Sequence, residues 1–386
     1  MRAITSQGIR GGCKACRSAA RVTTSAFSSS AVVEKQYSPT IFSGIQPTGI
    51  PHLGNYLGLF QPFLELQASS PPTTPIYLSV VGLHAITLPQ DPVKLLEDRK
   101  NALAALLAAG VDPERTILFF QEDIREHSEL AWILNTLTSV GRLQRMTTWK
   151  SRLATSRSST LDQISESDLR LGLLAYPVLQ AADVLLYKTT LVPVGEDQLQ
   201  HLELARDIAQ MFNREFGPVF PIPEVQIVPS KRILSLKDPT SKMSKSAPSA
   251  SSRILLTDPP AMILSKLKSA ITDSEPTITF DPISRPGLAN LLTIWSSLDD
   301  EKQGSRRSPQ QLAEYANENK WGMKRLKDEI GEILVDKLSP IGESFEKIRK
   351  DESYLSEVAK KGRDRAGEKA QEVMLEVRKV IGLGRI

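Results

Sequence analysis

The chain has 386 residues, 40% of them hydrophobic and 24% charged, which is the balance of an ordinary folded protein in water. That length buries a large core and divides most naturally among two or three domains. No apolar run approaches the roughly 20 uncharged residues that cross a bilayer as a helix, and the most apolar stretch, "LGLLAYPVLQAADVLLY", is broken by Pro177 and Asp183.

The net charge of +4 is concentrated at the start. Arg2, Arg10, Lys14, Arg17, Arg21 and Lys35 face only Glu34 within residues 1–38, and the rest of the chain is close to neutral. Residues 1–33 hold no carboxylate, are rich in Ser and Ala, and contain no apolar core of secretory type. That composition is expected of a mitochondrial targeting segment, removed by cleavage within 22–38. Both cysteines, Cys13 and Cys16, fall in this segment as "CKAC", without a second pair to complete a zinc site.

From residue 39 the pattern becomes α/β. Runs of β type at 40–45, 75–82, 116–121 and 189–195 alternate with helical patterns at 53–68, 92–110, 127–140 and 197–214. This alternation predicts a Rossmann-like, doubly wound parallel sheet. Asp91 and Pro92 suit the first positions of one helix, and Gly110 its end. The Ser/Thr-rich segment 150–169 is expected to be a mobile surface loop. From about 257 the β signals fade and helical patterns follow one another to the end, predicting an all-helical C-terminal domain over 257–386 and a catalytic domain over 39–256.

Two segments carry chemistry. In "FSGIQPTGIPHLGNYLG", a β run ends, glycines and prolines follow, and a helix starts near His52. In open α/β sheets ligands bind beyond the carboxyl ends of the strands, and a helix N-terminus suits phosphate. His52 and Asn55, three apart, share the first turn and can both donate to a polyphosphate. Gly49 and Gly54 admit close approach of backbone and a flat ring, and Gln46 and Thr48 are polar at the strand end. The second segment, "DPTSKMSKSAPS" at 238–249, sets Lys242 and Lys245 three apart in a loop of small residues able to close over a triphosphate. A capped helix and a solvated basic turn are the plain structural readings of the two segments.

"KMSKS" matches the nucleotide-binding loop of class I aminoacyl-tRNA synthetases, and "PHLGN" resembles the other ATP motif of those enzymes. Together with "LLAYPVLQAADVLLY", "LVPVGEDQLQHLELARDIAQMFN" and the closing "IGLGR", the chain resembles the tryptophanyl-tRNA synthetases over 39–386, in their bacterial and mitochondrial branch. The resemblance implies an ATP site of Gln46, Thr48, His52, Gly54, Asn55, Gly195, Asp197, Lys242, Met243, Ser244 and Lys245, with His52, Asn55, Lys242 and Lys245 catalytic. It implies a tryptophan site of Phe42, Gln46, His84, Tyr176, Asp183 and Gln198. Asp183 would accept the indole N–H, Tyr176 and Gln198 would hold the ammonium, and Phe42 and His84 would border the ring. An ionised carboxylate on a helix flanked by Ala181, Ala182 and Val184 is costly unless something donates to it, and an indole N–H can only donate; the plain structural reading is a partly exposed or capping aspartate. His201, four residues after Asp197, reads as structural.

The resemblance further implies ATP as substrate with Mg²⁺ bridging its phosphates, no protein metal site, L-tryptophan and tRNA(Trp) as partners, a homodimer, and the mitochondrial matrix. Two positions depart from the family pattern: Gly82 stands where Asp is usual, and Ala247 follows "KMSKS" where Asp is common. The basic cluster Lys360, Lys361, Arg363, Arg365 and Lys369 could track tRNA phosphates or form a solvated helix face. The alternatives are a tyrosine-specific enzyme of the same subclass, a nucleotidylyltransferase sharing the phosphate site, and an inactive RNA-binding paralogue. "KMSKS" and the helical C-terminal region disfavour the second, and intact His52, Lys242 and Lys245 the third.

Overall fold

The computed structural model describes residues 37–146, 148–157, 169–195, 198–227, 232–245, 247–299 and 306–385. The expectations for residues 1–36 with their cysteine pair, for Asp197, and for 158–168 lie outside the described residues.

Five strands form one parallel sheet: β1 (Ile41–Ile45), β2 (Ile76–Val80), β3 (Thr116–Phe120), β4 (Leu191–Val194) and β5 (Glu224–Ile227), in the order β3-β2-β1-β4-β5. β2 ("IYLSV") and β3 ("TILFF") are buried along their whole length, as strands covered on both faces must be. The chain builds outward from β1 to β3, then crosses back to β4 on the other flank of β1. The order therefore reverses between β1 and β4, the switch point beyond whose carboxyl ends open α/β sheets bind their ligands. β5 is absent from the sequence reading because "EVQI" is a largely exposed edge strand with little apolar content.

Helix α1 (Leu53–Asn55), a π-helical segment over Tyr56–Phe60 and α2 (Gln61–Ser69) together occupy the helix expected at 53–68. α3 (Gly82–Ala85) is a single turn after β2. α4 (Pro92–Ala108) starts where Asp91 accepts from Lys94 N at 2.7 Å and ends before Gly110, whose φ of 111° lies in the left-handed region. α5 (Glu126–Leu137), α6 (Val140–Gln144) and α7 (Thr148–Arg157) follow β3. Over 150–157 α7 replaces the loop expected at 150–169: Trp149 and Leu153, four residues apart, bury one face with Ala154 against Leu173 and Tyr176. That apolar stripe is hidden in the sequence by the polar residues around it. α8 (Leu171–Leu185) is the crossover to β4, and α9 (Leu199–Phe216) leads on to β5.

Helices α10 (Pro260–Lys268), α11 (Pro286–Leu298), α12 (Pro309–Glu318), α13 (Met323–Lys350) and α14 (Glu352–Val380) complete the chain. They do not stand apart from the sheet, because Tyr37–Ile386 forms one compact unit. α14 lies directly on β3, where a Cβ added at Gly362 would come within 1.7 Å of Leu118 O. α13 reaches α4, with Arg349 Nε donating to Asn101 Oδ1 at 2.7 Å. Residue 257 thus marks where strands give way to helices. No helix among the described residues is long and apolar enough to cross a membrane.

Candidate active site

At the carboxyl end of β1 the chain turns through Gln46, half-buried, and Gly49, whose φ of 83° an ordinary side chain rarely adopts. His52 then caps α1. Its Nδ1 accepts from Asn55 N at 3.3 Å, and Asn55 Oδ1 accepts from His52 N at 3.1 Å. This reciprocal box leaves Nε2 of His52 and the amide NH₂ of Asn55 as the groups able to donate outward. Burial, then the charges of Lys245, Lys242 and Arg253, lower the His52 pKa to about 4, so the ring is neutral at physiological pH. Gly54 permits the box, since a Cβ there would sit 3.1 Å from the imidazole.

The KMSKS segment is laced to this turn. Leu53 N donates to Ile254 O at 2.8 Å and Leu256 N to Pro51 O at 3.0 Å. Lys245 Nζ reaches Thr48 O (2.9 Å), Thr48 Oγ1 (3.1 Å) and Gly49 O (2.8 Å), using all three of its protons. Burial draws the Lys245 pKa down to about 8, against the opposing pull of Asp98. Met243 anchors the loop: its side chain is buried in the core and its N–H donates to Ile233 O at 2.9 Å. Lys242 is exposed and Ser244 half-buried on either side of it. Beyond β4, Gly195 O accepts from Gln198 N at 3.0 Å at the start of α9.

The second cluster surrounds Asp183, which is 2% exposed. Gln121 Nε2 donates to both its oxygens (2.7 and 2.8 Å), His84 Nε2 lies 2.8 Å from Oδ2, and His127 Nδ1 lies 2.7 Å from Oδ1. Burial alone would raise the Asp183 pKa, but the charge and hydrogen bond of His127 and the hydrogen bond of His84 lower it to about 2. An ionised carboxylate only accepts, so both imidazole nitrogens facing it carry protons. His127 Nε2 also lies 2.8 Å from Tyr187 OH, and burial beside Asp183 keeps that phenol protonated by raising its pKa well above the usual 10. Phe42 stacks on Tyr187 at 5.7 Å and backs the cluster from β1.

Beside it, Tyr176 OH bonds His201 Nε2 at 2.9 Å and donates to Thr148 Oγ1 at 2.8 Å. His201 Nδ1 in turn meets Gln198 Oε1 at 3.1 Å, which also accepts from Gln180 Nε2 at 3.3 Å. The His84 and Tyr176 rings meet edge-on at 6.3 Å, joining the two networks. The structure thus brings His84, Tyr176, Asp183 and Gln198 together, and separately His52, Asn55, Thr48 and Lys245. Sequence reasoning passed over Gln121, His127 and Gln180. Gln121 stands just past the carboxyl end of β3, where the strand-end rule applied to Gln46 would have found it. His201 holds Tyr176 and Gln198 in place, a positioning part. All 4 histidines of the chain are buried in these clusters.

A parallel sheet with a switch point, a histidine-capped helix and a lysine loop latched onto it is an arrangement suited to phosphate, and the comparisons say in which class of protein. The family described as tRNA synthetases class I (W and Y) matches residues 34–338, so the chain belongs to that class. It is 41% identical over 351 residues to the mitochondrial tryptophan–tRNA ligase of Schizosaccharomyces pombe, covering 89% of this chain and 95% of the relative. It is 42% identical over 348 residues to the tryptophan–tRNA ligase of Oceanobacillus iheyensis, covering 90% and 99%. The tryptophanyl-tRNA synthetase of Campylobacter jejuni, solved with ADP and tryptophan, superposes with a TM-score of 0.72 at 30% identity over 89% of this chain and 100% of that one. Within its class the chain is a member of the tryptophan–tRNA ligase family.

Proposed function

We propose that the protein activates L-tryptophan with ATP and passes the tryptophanyl group to tRNA(Trp). The observation that carries this reading is Asp183, a buried, ionised carboxylate held by His84, Gln121 and His127. A carboxylate has about four acceptor positions and the contacts from Gln121, His84 and His127 occupy them, so an indole N–H would bond Asp183 by replacing one of these donors. A phenylalanine ring brings no donor to make good the one displaced, so such a site is expected to discriminate against it. The tryptophan names of the relatives weigh against the tyrosine-specific alternative.

In the first step the tryptophan carboxylate attacks the α-phosphorus of ATP in line and pyrophosphate leaves. The carboxylate is already ionised, so no general base is required, and positioning and charge neutralisation supply the catalysis. His52 Nε2–H and the Asn55 amide would bind phosphate oxygens from the helix end. Lys245 would exchange the Thr48 and Gly49 oxygens for phosphate, and Lys242 would add a second positive charge. Gly195 and Asp197 are assigned to the ribose, and Tyr176 and Gln198 to the substrate ammonium. In the second step the terminal 2′-hydroxyl of the tRNA takes the acyl group.

Mg²⁺ is expected on the phosphates themselves, since no group of three His, Cys, Asp or Glu able to hold a metal is found among the described residues. It would neutralise charge on the leaving pyrophosphate. The C-terminal helices would read the anticodon, and the basic cluster of α14 is already partly engaged in surface ion pairs. Lys361 pairs with Glu114, Arg363 with Asp364 and Lys369 with Glu372, while Arg365 donates to Pro113 O at 3.2 Å. Exposed Ile86, Val93, Leu96, Trp132 and Val140 offer apolar surface for a homodimer. The carboxylate-free residues 1–33 and the mitochondrial relative support the mitochondrial matrix as the place of action. Tryptophan-dependent ATP–pyrophosphate exchange by protein lacking residues 1–38 tests the enzyme reading; no exchange would leave the inactive paralogue.

A further inference from the structure

Gly82, which departs from the family's usual aspartate, opens α3, the single turn that carries His84. Its N–H donates to Glu122 Oε2 at 3.2 Å. A Cβ added at residue 82 would stand 2.4 Å from Glu122 Oε2, 2.6 Å from its Cδ and 2.7 Å from its Oε1. The space a side chain at 82 would need is therefore filled by a carboxylate arriving from the turn after β3. Glu122 is also paired with Arg99, whose guanidinium lies 4.4 Å from the Phe120 ring centre.

The next residue along each turn continues the pattern. Leu83 N donates to Gln121 Oε1 at 3.1 Å, and Gln121 Nε2 reaches Asp183. His84 Nε2 reaches the same carboxylate at 2.8 Å. Two consecutive side chains, Gln121 and Glu122, thus hold the two N–H groups at the start of α3 and set where His84 meets Asp183. Backbone N–H groups at a helix start have no partner within the helix, so a charged acceptor there orients the turn.

We propose that Glu122 is a positioning residue for tryptophan recognition, and that Gly82 and Glu122 form an exchanged pair in which residue 122 supplies the carboxylate that residue 82 lacks. The inference rests on the reading of Asp183 as the indole acceptor. An ordinary surface ion pair between Glu122 and Arg99, whose side chains are 24% and 23% exposed, would leave substrate affinity unchanged on removal.

The test is steady-state exchange kinetics on the full chain with E122A, E122Q, the double variant G82D/E122A, and D183N in parallel. E122A raises KM for tryptophan about tenfold, the weight of one hydrogen bond to a charged group, and leaves KM for ATP within about twofold. E122Q keeps an oxygen for the Gly82 N–H and stays within about threefold of the parent. In G82D/E122A the new carboxylate enters the vacated space and returns KM for tryptophan to within about threefold. An unchanged KM for tryptophan in E122A overturns the proposal, as does a rise shared equally with ATP, or a double variant as impaired as E122A. Should E122A fail to fold, E122Q and the double variant decide. If D183N raises KM for tryptophan and E122A does not, only the Glu122 proposal falls. If D183N also leaves it unchanged, the Asp183 reading falls and the Glu122 proposal with it.

Discussion

His52 and Lys245, the proposed phosphate ligands, show how burial and neighbouring charge set the state of single side chains. His52 caps its own helix, so it is a neutral donor through Nε2 rather than an acid or base. Held at about 4, it stays uncharged across the working range and contributes no limb near pH 6.5 to the rate profile. Its depressed pKa also means that the folded state binds fewer protons than the unfolded one between about pH 4 and 6.5, so stability falls as pH falls through that window. His52→Gln flattens that part of the curve, which thermal melts from pH 4 to 7 would read out. Lys245 behaves in the opposite sense. It is charged below about pH 8, so kcat/KM for ATP declines as pH rises through about 8. Lys245→Arg retains the charge and moves the limb above the measurable range; a limb that stays in place would assign it to another group. At this scale the sequence was legible where neighbours in the chain cooperate, as His52 and Asn55 do. It was silent on Gln121 and His127, which stand far from Asp183 in the chain and meet it only because the sheet brings the ends of β3 and α8 together.

Elements explain why these side chains hold still. β2 and β3 are buried end to end and carry α3 and the 121–123 turn at their carboxyl ends, so the groups around Asp183 sit on the stiffest part of the molecule. α14 braces β3 from one face, and the contact works only because residue 362 has no side chain. Gly362→Ala forces a methyl against Leu118 O and is expected to cost about 1–3 kcal/mol, seen as a fall in Tm. Gly367→Ala, five residues on in the same helix with nothing within 4 Å, is expected to be neutral or to stabilise by about 0.5–1 kcal/mol. Equal effects of the two would remove the packing account of α14. Periodicity located the first four strands and most helices. It missed β5 and α7 for one reason: an exposed edge strand and a helix with a two-residue apolar stripe bury too little to leave a pattern. The early part of α14 was unreadable in the same way, since its buried face over 352–368 includes Gly362 and Ala366 among many charges.

The whole molecule joins the His52 turn after β1 to the buried cluster around Asp183 at the carboxyl ends of β2 and β3. Exposed Trp132, at 73%, stands with other apolar residues on segments flanking that cluster. Trp132→Asp is expected to shift the purified protein toward monomer in sedimentation, and an unchanged oligomer would place the interface elsewhere. Both the two ATP motifs and the amino acid served were legible in the sequence only through resemblance, because a lone Asp183 in an apolar helix carries no chemistry until its three donors are seen. The central claim is that this carboxylate chooses tryptophan. Pyrophosphate exchange with tryptophan, tyrosine and phenylalanine, comparing the parent with Asp183→Ala, tests it most directly. The account predicts exchange with tryptophan alone in the parent, and in the variant a tryptophan KM raised at least about 100-fold with discrimination against phenylalanine largely lost. Full tryptophan exchange by Asp183→Ala, with phenylalanine still rejected, would contradict it.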